Sequence, residues 1–313
     1  MKKKTLILFL IILDLVFVNA QTNTDSIKIA KKQARIIKKT ERKSRNRYLL
    51  FNIGTGITKQ KDQTVSPLLY KGNNFSFGLS YMRLDKRKIN IYNLNFNTAS
   101  LSLSNTDIYQ GSNTSVYNFN LDIYSLYGIT DIGTKLRFYL GWHLTNNFTM
   151  SYNAKYMNSA VVMGFFMENG ITTRIDLPFS WKAKNSKFLF FKIKRKDRQL
   201  RASFMLSLPL FTNTLLRPEY AGITNFVDGK SNISTETKTC TYGKYFALNT
   251  KLELLYELGN YNLFKIAYNW NFLHYNPGYN KLQIANHYFL LSFVFKLNKL
   301  TKSINYRKEI NNE

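Results

Sequence analysis

Two residues of this chain stand where nucleophilic chemistry is feasible. His143 and Thr145 lie two apart in an alternating stretch, which puts an imidazole and a hydroxyl on one side of a strand, where a ring nitrogen can take the proton of an attacking hydroxyl. The set is incomplete. No carboxylate nearby would orient the ring, so Asn153 or Asn158 would have to serve, and the strand phase turns His143 toward the side of Lys135 and Arg137. An interfacial histidine is the simpler reading. His274 and His287 stand alone at strand ends, and no Cys/His/carboxylate spacing marks a metal site. Asp228-Gly229-Lys230 has no calcium-loop or phosphate-loop continuation and reads as a turn. No metal or cofactor is expected, and the single Cys240 precludes an internal disulfide framework.

The other chemistry-bearing set is a series of charges. Asp122, Lys135, Arg137, Arg174, Asp176, Arg201, Lys251, Glu253, Glu257 and Lys265 each fall on the strand face opposite the large apolar residues. If the strands close on themselves, these residues line the lumen. Charged side chains along a pore set its selectivity, so a mixed, slightly basic lumen would favour small anionic solutes. In a filled interior the same charges would simply pair. A wall of about twelve strands is intermediate between small filled barrels and open porins, so width does not decide; the filled or plugged state is the expectation carried forward.

The elements that must position these residues are strands. In the last of them His287, Phe289, Leu291, Phe293, Phe295 and Leu297 alternate with Tyr288, Leu290, Ser292, Val294 and Lys296, a period of two. The same alternation recurs along the chain, most cleanly at Tyr117, Phe119, Leu121 and Ile123 against Asn118, Asn120 and Asp122. A soluble sheet would hide such a face under a second layer, whereas a closed transmembrane barrel turns it to lipid. The expected fold is all-β: a closed antiparallel transmembrane β-barrel over 47–298, of about twelve strands with ten as the alternative, even as single-chain bacterial barrels require. Phe148 to Tyr156 and Ala160 to Met167 are counted as separate strands, with Glu168-Asn169-Gly170 a turn after them. A change of phase from Ile89 and Ile91 to Tyr92, Leu94 and Phe96 predicts a bulge. Asp85 to Lys88 reads as a compact turn, and Thr212 to Gly243 as a long strandless outer loop. Even parity puts both termini in the periplasm.

Composition agrees with export. Lys2, Lys3 and Lys4, an apolar core from Leu6 to Val18 and Val18-Asn19-Ala20 form a secretory signal over 1–20, cleaved before Gln21. A basic periplasmic arm, helical or disordered, follows over 21–46, and a periplasmic tail occupies 299–313. The net charge of +27 would ordinarily suggest nucleic acid, but export to the outer membrane argues against that partner. Basic clusters at Lys31 to Arg45, Lys182 to Arg198 and Lys296 to Lys308 fall outside the best strands, where they are solvated or meet anionic lipid headgroups. Outer-membrane lipid or lipopolysaccharide is therefore an expected partner; the sequence names no protein partner.

The signal ending in a small residue plus Gln21, the Asn- and Tyr-rich strands and the aromatic last strand resemble the outer-membrane β-barrel proteins of the Bacteroidota. That resemblance implies assembly by the barrel-assembly machinery. His143-Leu144-Thr145-Asn146 is similar to the His-x-Ser-Asn motif of two barrel lipase families, outer-membrane phospholipase A and the lipid A deacylase, which implies lipid-ester cleavage by His143 and Thr145. The expected function is a non-enzymatic binding, scaffold or narrow-channel protein of the outer membrane. A lipid esterase and a secreted soluble β-sandwich are the alternatives.

Overall fold

A computed structural model describes residues 46–85, 87–103, 112–132, 136–155, 161–181, 185–188, 191–194, 198–215, 237–258 and 262–297. The signal, the tail and all but the last residue of the arm lie outside these, as do Lys135, Asn158 and Asp228 to Lys230. The strands are β1 (Asn46–Asp62), β2 (Ser66–Leu84), β3 (Lys88–Leu103), β4 (Asn113–Ile132), β5 (Leu136–Tyr152), β6 (Val161–Trp181), β7 (Asn185–Phe188), β8 (Phe191–Lys194), β9 (Arg198–Leu215), β10 (Lys238–Cys240), β11 (Tyr245–Glu257), β12 (Leu263–Tyr275) and β13 (Leu282–Lys296).

Ten of these form one closed antiparallel wall among the described residues. The ladder runs from β1 through β6, joins β9, continues through β11, β12 and β13, and returns to β1. The closing β13–β1 pairing extends from Tyr48 opposite Lys296 to Asp62 opposite Leu282. The hairpin β7–β8 is a separate two-stranded sheet within the basic Lys182 to Arg198 insertion, and β10 pairs with the far end of β9. Because the wall is even in number, its first and last strands end together: the amide of Leu297 donates to the carbonyl of Arg47 at 2.8 Å. Asp85 to Lys88 is the compact turn expected, closed by a 3.1 Å bond from the Asp85 amide to the Lys88 carbonyl.

The alternation sorts each strand between two environments. Phe289 is 63 % exposed and Phe293 57 %, while their neighbours Tyr288 and Val294 are buried. The outward apolar rows continue through Phe51, Phe77, Phe119, Trp142 and Ile266. Within the described residues no second sheet covers them, so the soluble sandwich alternative falls.

Among the described residues the wall has ten strands, the alternative to about twelve. The two segments Phe148 to Tyr156 and Ala160 to Met167 are not strands of their own: residues 148–152 complete β5 and residues 161–167 begin β6, while Tyr156 and Ala160 lie outside the described residues. Glu168-Asn169-Gly170 is not a turn but runs through β6, with Thr145 opposite Glu168 and His143 opposite Gly170. The glycine that suggested punctuation answers a close approach instead: a Cβ there would lie 2.0 Å from the Leu208 carbonyl oxygen and 2.5 Å from the Pro209 Cα. At the same point β9 bulges, so that Leu210 and Phe211 both face outward. Pro209, which has no N–H to give, sits where the ladder is already interrupted.

Two further expectations are corrected. There is no bulge in β3, whose register is unbroken against both β2 and β4. Ile89 and Ile91 point inward and are buried, whereas Tyr92 and Leu94 point outward, so apolar residues change face because they serve two different surfaces. Thr212 to Gly243 is not strandless either: its start belongs to β9, and Lys238–Cys240 forms β10. Gly170→Ala should cost about 1–3 kcal/mol through overpacking, seen as loss of the heat-modifiable folded band, whereas Gly243→Ala, with no atom of the described residues within 4 Å of its added Cβ, should leave that band intact.

Candidate functional site

The inward positions divide the lumen into tiers. At the end holding the first and last strand termini, an apolar tier forms a floor. Tyr48, Leu50, Met82, Leu84, Ile89, Ile91, Tyr124, Leu126, Tyr139, Met205, Leu255 and Val294 are all buried in one cluster, with Leu263 packed against it. Every wall strand contributes to this floor except β6. The place of β6 is taken by Arg174, whose direct cross-strand partners are the floor residues Tyr139 and Met205.

Arg174 is 1 % exposed, and a buried guanidinium is tolerable only when its fork is filled. Its Nε donates to Asp176 Oδ1 at 2.7 Å, Nη1 to Glu253 Oε2 at 2.9 Å and Nη2 to Ser203 Oγ at 2.8 Å. Lys265 Nζ donates to the other Glu253 oxygen at 3.3 Å, and Arg201 Nη1 lies 3.9 Å from Asp176 Oδ2. These bonds tie β6, β9, β11 and β12 together through the lumen.

Beside the floor lies a polar chamber of about 110 Å³. Its lining includes Asn93, Asn95, Asn97, Asn118, Asn120, Asn147, Asn249, Asn269, Asn271 and Asn286, with Asp122, Glu168, Lys251 and Lys265. Part of the polar lining is satisfied internally. Ser292 donates to Asn52 Oδ1 at 2.6 Å and Asn52 to Ser80 at 2.7 Å, while Asn74 donates to Thr58 at 2.8 Å and Thr58 to Asn286 at 2.7 Å. Tyr245 donates to Glu168 Oε1 at 2.5 Å. Among the described residues Asn120, Asn147 and Asn269 Oδ1 have no hydrogen-bond donor, which suits a chamber taking water or a small polar solute.

Toward the opposite end, two apolar clusters narrow the lumen again. Phe166, Tyr245, Leu273, Tyr275, Leu282 and Ile284 form one, and Tyr70, Ala99, Leu101 and Val116 the other. Gln60 of β1 donates to Ser151 of β5 at 3.1 Å, and since these strands are not neighbours in the wall the bond spans the lumen.

The structure brings together Arg174, Asp176, Arg201, Glu253 and Lys265 in one ion network and places Asp122, Lys251 and Lys265 on the chamber wall. Arg137 and Glu257 sit at inward positions two residues beyond the floor residues Tyr139 and Leu255. His143 and Thr145 are both buried and inward, away from the lipid side. The His143 ring pairs with a hydroxyl other than the expected one: Nδ1 is 2.9 Å from Thr172 Oγ1, which donates to Ser207 at 2.9 Å. Thr172 and Ser207 are fully buried, so this chain binds β5, β6 and β9 together. Sequence reasoning missed Glu168 and the floor. Even parity carried back from Arg174 through Thr172 to Glu168 and Phe166 would have found the first; inward apolar residues at strand ends were the signal for the second.

No family model and no curated protein matches the sequence. Among solved structures the chain is similar to neisserial surface protein A, at 9 % identity and TM-score 0.30, covering 80 % of this chain and 97 % of that one. It is also similar to the translocator domain of the autotransporter NalP from Neisseria meningitidis, at 8 % identity and TM-score 0.33, covering 89 % and 98 %. OccK7 of Pseudomonas aeruginosa aligns at 5 % identity and TM-score 0.21, covering 81 % and 100 %. These likenesses add nothing to what the β6–β9 and β13–β1 pairings already establish.

Removing one member of a filled buried ion network leaves charges without partners, at about 3–5 kcal/mol. Arg174→Ala, which strands Asp176 and Glu253, should lower the urea midpoint of unfolding accordingly, and Arg174→Lys should recover only part because an ammonium cannot fill three sites in a plane.

Proposed function

We propose that this chain is an integral β-barrel of the bacterial outer membrane, akin to those of the Bacteroidota, acting as a non-enzymatic binding or scaffold protein and not as an open pore. The observation that carries this reading is the floor: side chains from nine wall strands and Arg174 of the tenth fill one cross-section of the lumen. Outside, the rows of Phe, Leu and Ile are the band that hydrocarbon wets. Inside, among the described residues, Arg137, Arg174, Arg201, Lys251 and Lys265 are balanced by Asp122, Glu168, Asp176, Glu253 and Glu257, which removes the basic bias that an anion-selective channel would need. Both ends of the wall chain lie in the periplasm on this reading, and the β1–β2 and β12–β13 connections face outward from the cell.

The lipid esterase reading is not favoured. His143 and Thr145 face inward and are buried, and the ring already engages Thr172. Reconstituted into planar bilayers, the folded, heat-modifiable protein should show no ohmic steps; stepwise conductance in that sample would refute the filled barrel.

A further inference from the structure

The outward face of β1 and β2 carries cations with no acidic partner at the outward positions of the neighbouring described strands. Lys59 and Lys71 are direct cross-strand partners and both are exposed, so their Cβ atoms stand roughly 5 Å apart, where like charges destabilise a sheet. Lys61 follows on the same face of β1, opposite Gln283 of β13. At the other end of these two strands Arg47 lies directly opposite Arg83. Among the described residues, the outward positions of β13, β1, β2 and β3 hold no Asp or Glu. Between the two pairs the outward residues are mainly apolar: Phe51, Ile53 and Ile57 on β1, Phe75, Phe77 and Leu79 on β2.

The spacing fits a bilayer. From Arg47 to Lys59 the strand advances about 40 Å at roughly 3.3 Å per residue, and a tilt of about 40° leaves about 30 Å along the barrel axis. An apolar band about 25 Å tall therefore fits between the two pairs, with the flexible stems carrying the charges to the headgroup level on each side. In water the Lys59–Lys71 repulsion is a cost; a phosphate placed between the two ammonium groups turns it into attraction.

We propose that Lys59, Lys61 and Lys71 form a binding site for the phosphate of an anionic glycolipid in the outer leaflet. The assignment of leaflet rests on the membrane reading above, since these lysines lie at the β1–β2 end, opposite the end where β1 starts and β13 stops. Arg47 and Arg83 mark the opposite interface and take no part in the site.

The test is native mass spectrometry of the detergent-extracted full chain, titrated with diphosphorylated lipid A. The K59Q/K71Q variant should retain the lipid about thirtyfold less well, at about 1 kcal/mol for each lysine, and R47Q/R83Q should match the unaltered protein. Dephosphorylated lipid A should bind the unaltered protein no better than the phosphorylated lipid binds K59Q/K71Q, and inorganic pyrophosphate at equal phosphate concentration should not displace the lipid. Equal retention by K59Q/K71Q in a heat-modifiable sample would overturn the site while leaving the membrane reading standing, as would full displacement by pyrophosphate. An unaltered protein that is not heat-modifiable and washes off membranes with carbonate would overturn both.

Discussion

Closure of the hydrogen-bond ladder is the constraint on which everything else depends. A strand with a free edge presents unpaired N–H and C=O groups, and hydrocarbon offers them no partner. Here the edges of β1 and β13 meet along the length of both strands, and β6 meets β9 across the insertion between them. Once the wall is closed, the two-residue period leaves each side chain only an outside or an inside. The outside carries an apolar band between charged ends. The inside has to be built from whatever the intervening positions supply, and its tiers are the result.

The interior resolves two opposing costs. An empty bore would forfeit packing, yet a uniformly apolar interior would leave the strands without the polar cross-links that tie one side of the wall to the other. The chain fills one cross-section with apolar side chains and sets Arg174 at its edge, held by Asp176, Glu253 and Ser203. Above this tier amides and hydroxyls bond around the wall, and Gln60 and Ser151 meet across it. A buried ion network is weak evidence for stability in itself. What it gives this barrel is a fixed arrangement of β6, β9, β11 and β12 around one guanidinium.

Much of this architecture was legible in the residues. The outward rows, the closed antiparallel wall and the inward parity of Arg174, Asp176, Glu253 and Lys265 all follow from a period of two. The errors came where a residue serves a purpose the period does not display. Gly170 looked like a turn because glycine commonly marks one, but here it makes room for the Leu208 carbonyl and Pro209 of β9, a contact distant in sequence. Ile89 and Ile91 looked like a slipped phase because the outward band was taken as the only apolar surface, whereas they belong to the floor. The partnership of His143 with Thr172 was likewise hidden, since it depends on the register between β5 and β6 and not on spacing along one strand.

The central claim is that lipid hydrocarbon touches the outward rows. Single cysteines placed at Phe293 and Val294, labelled with a small fluorophore and reconstituted in bilayers containing lipids with nitroxide on the acyl chain, measure it directly. The label at 293 should be strongly quenched and that at 294 should not. Equal quenching at the two sites, or none at 293, would contradict a barrel wall facing the bilayer.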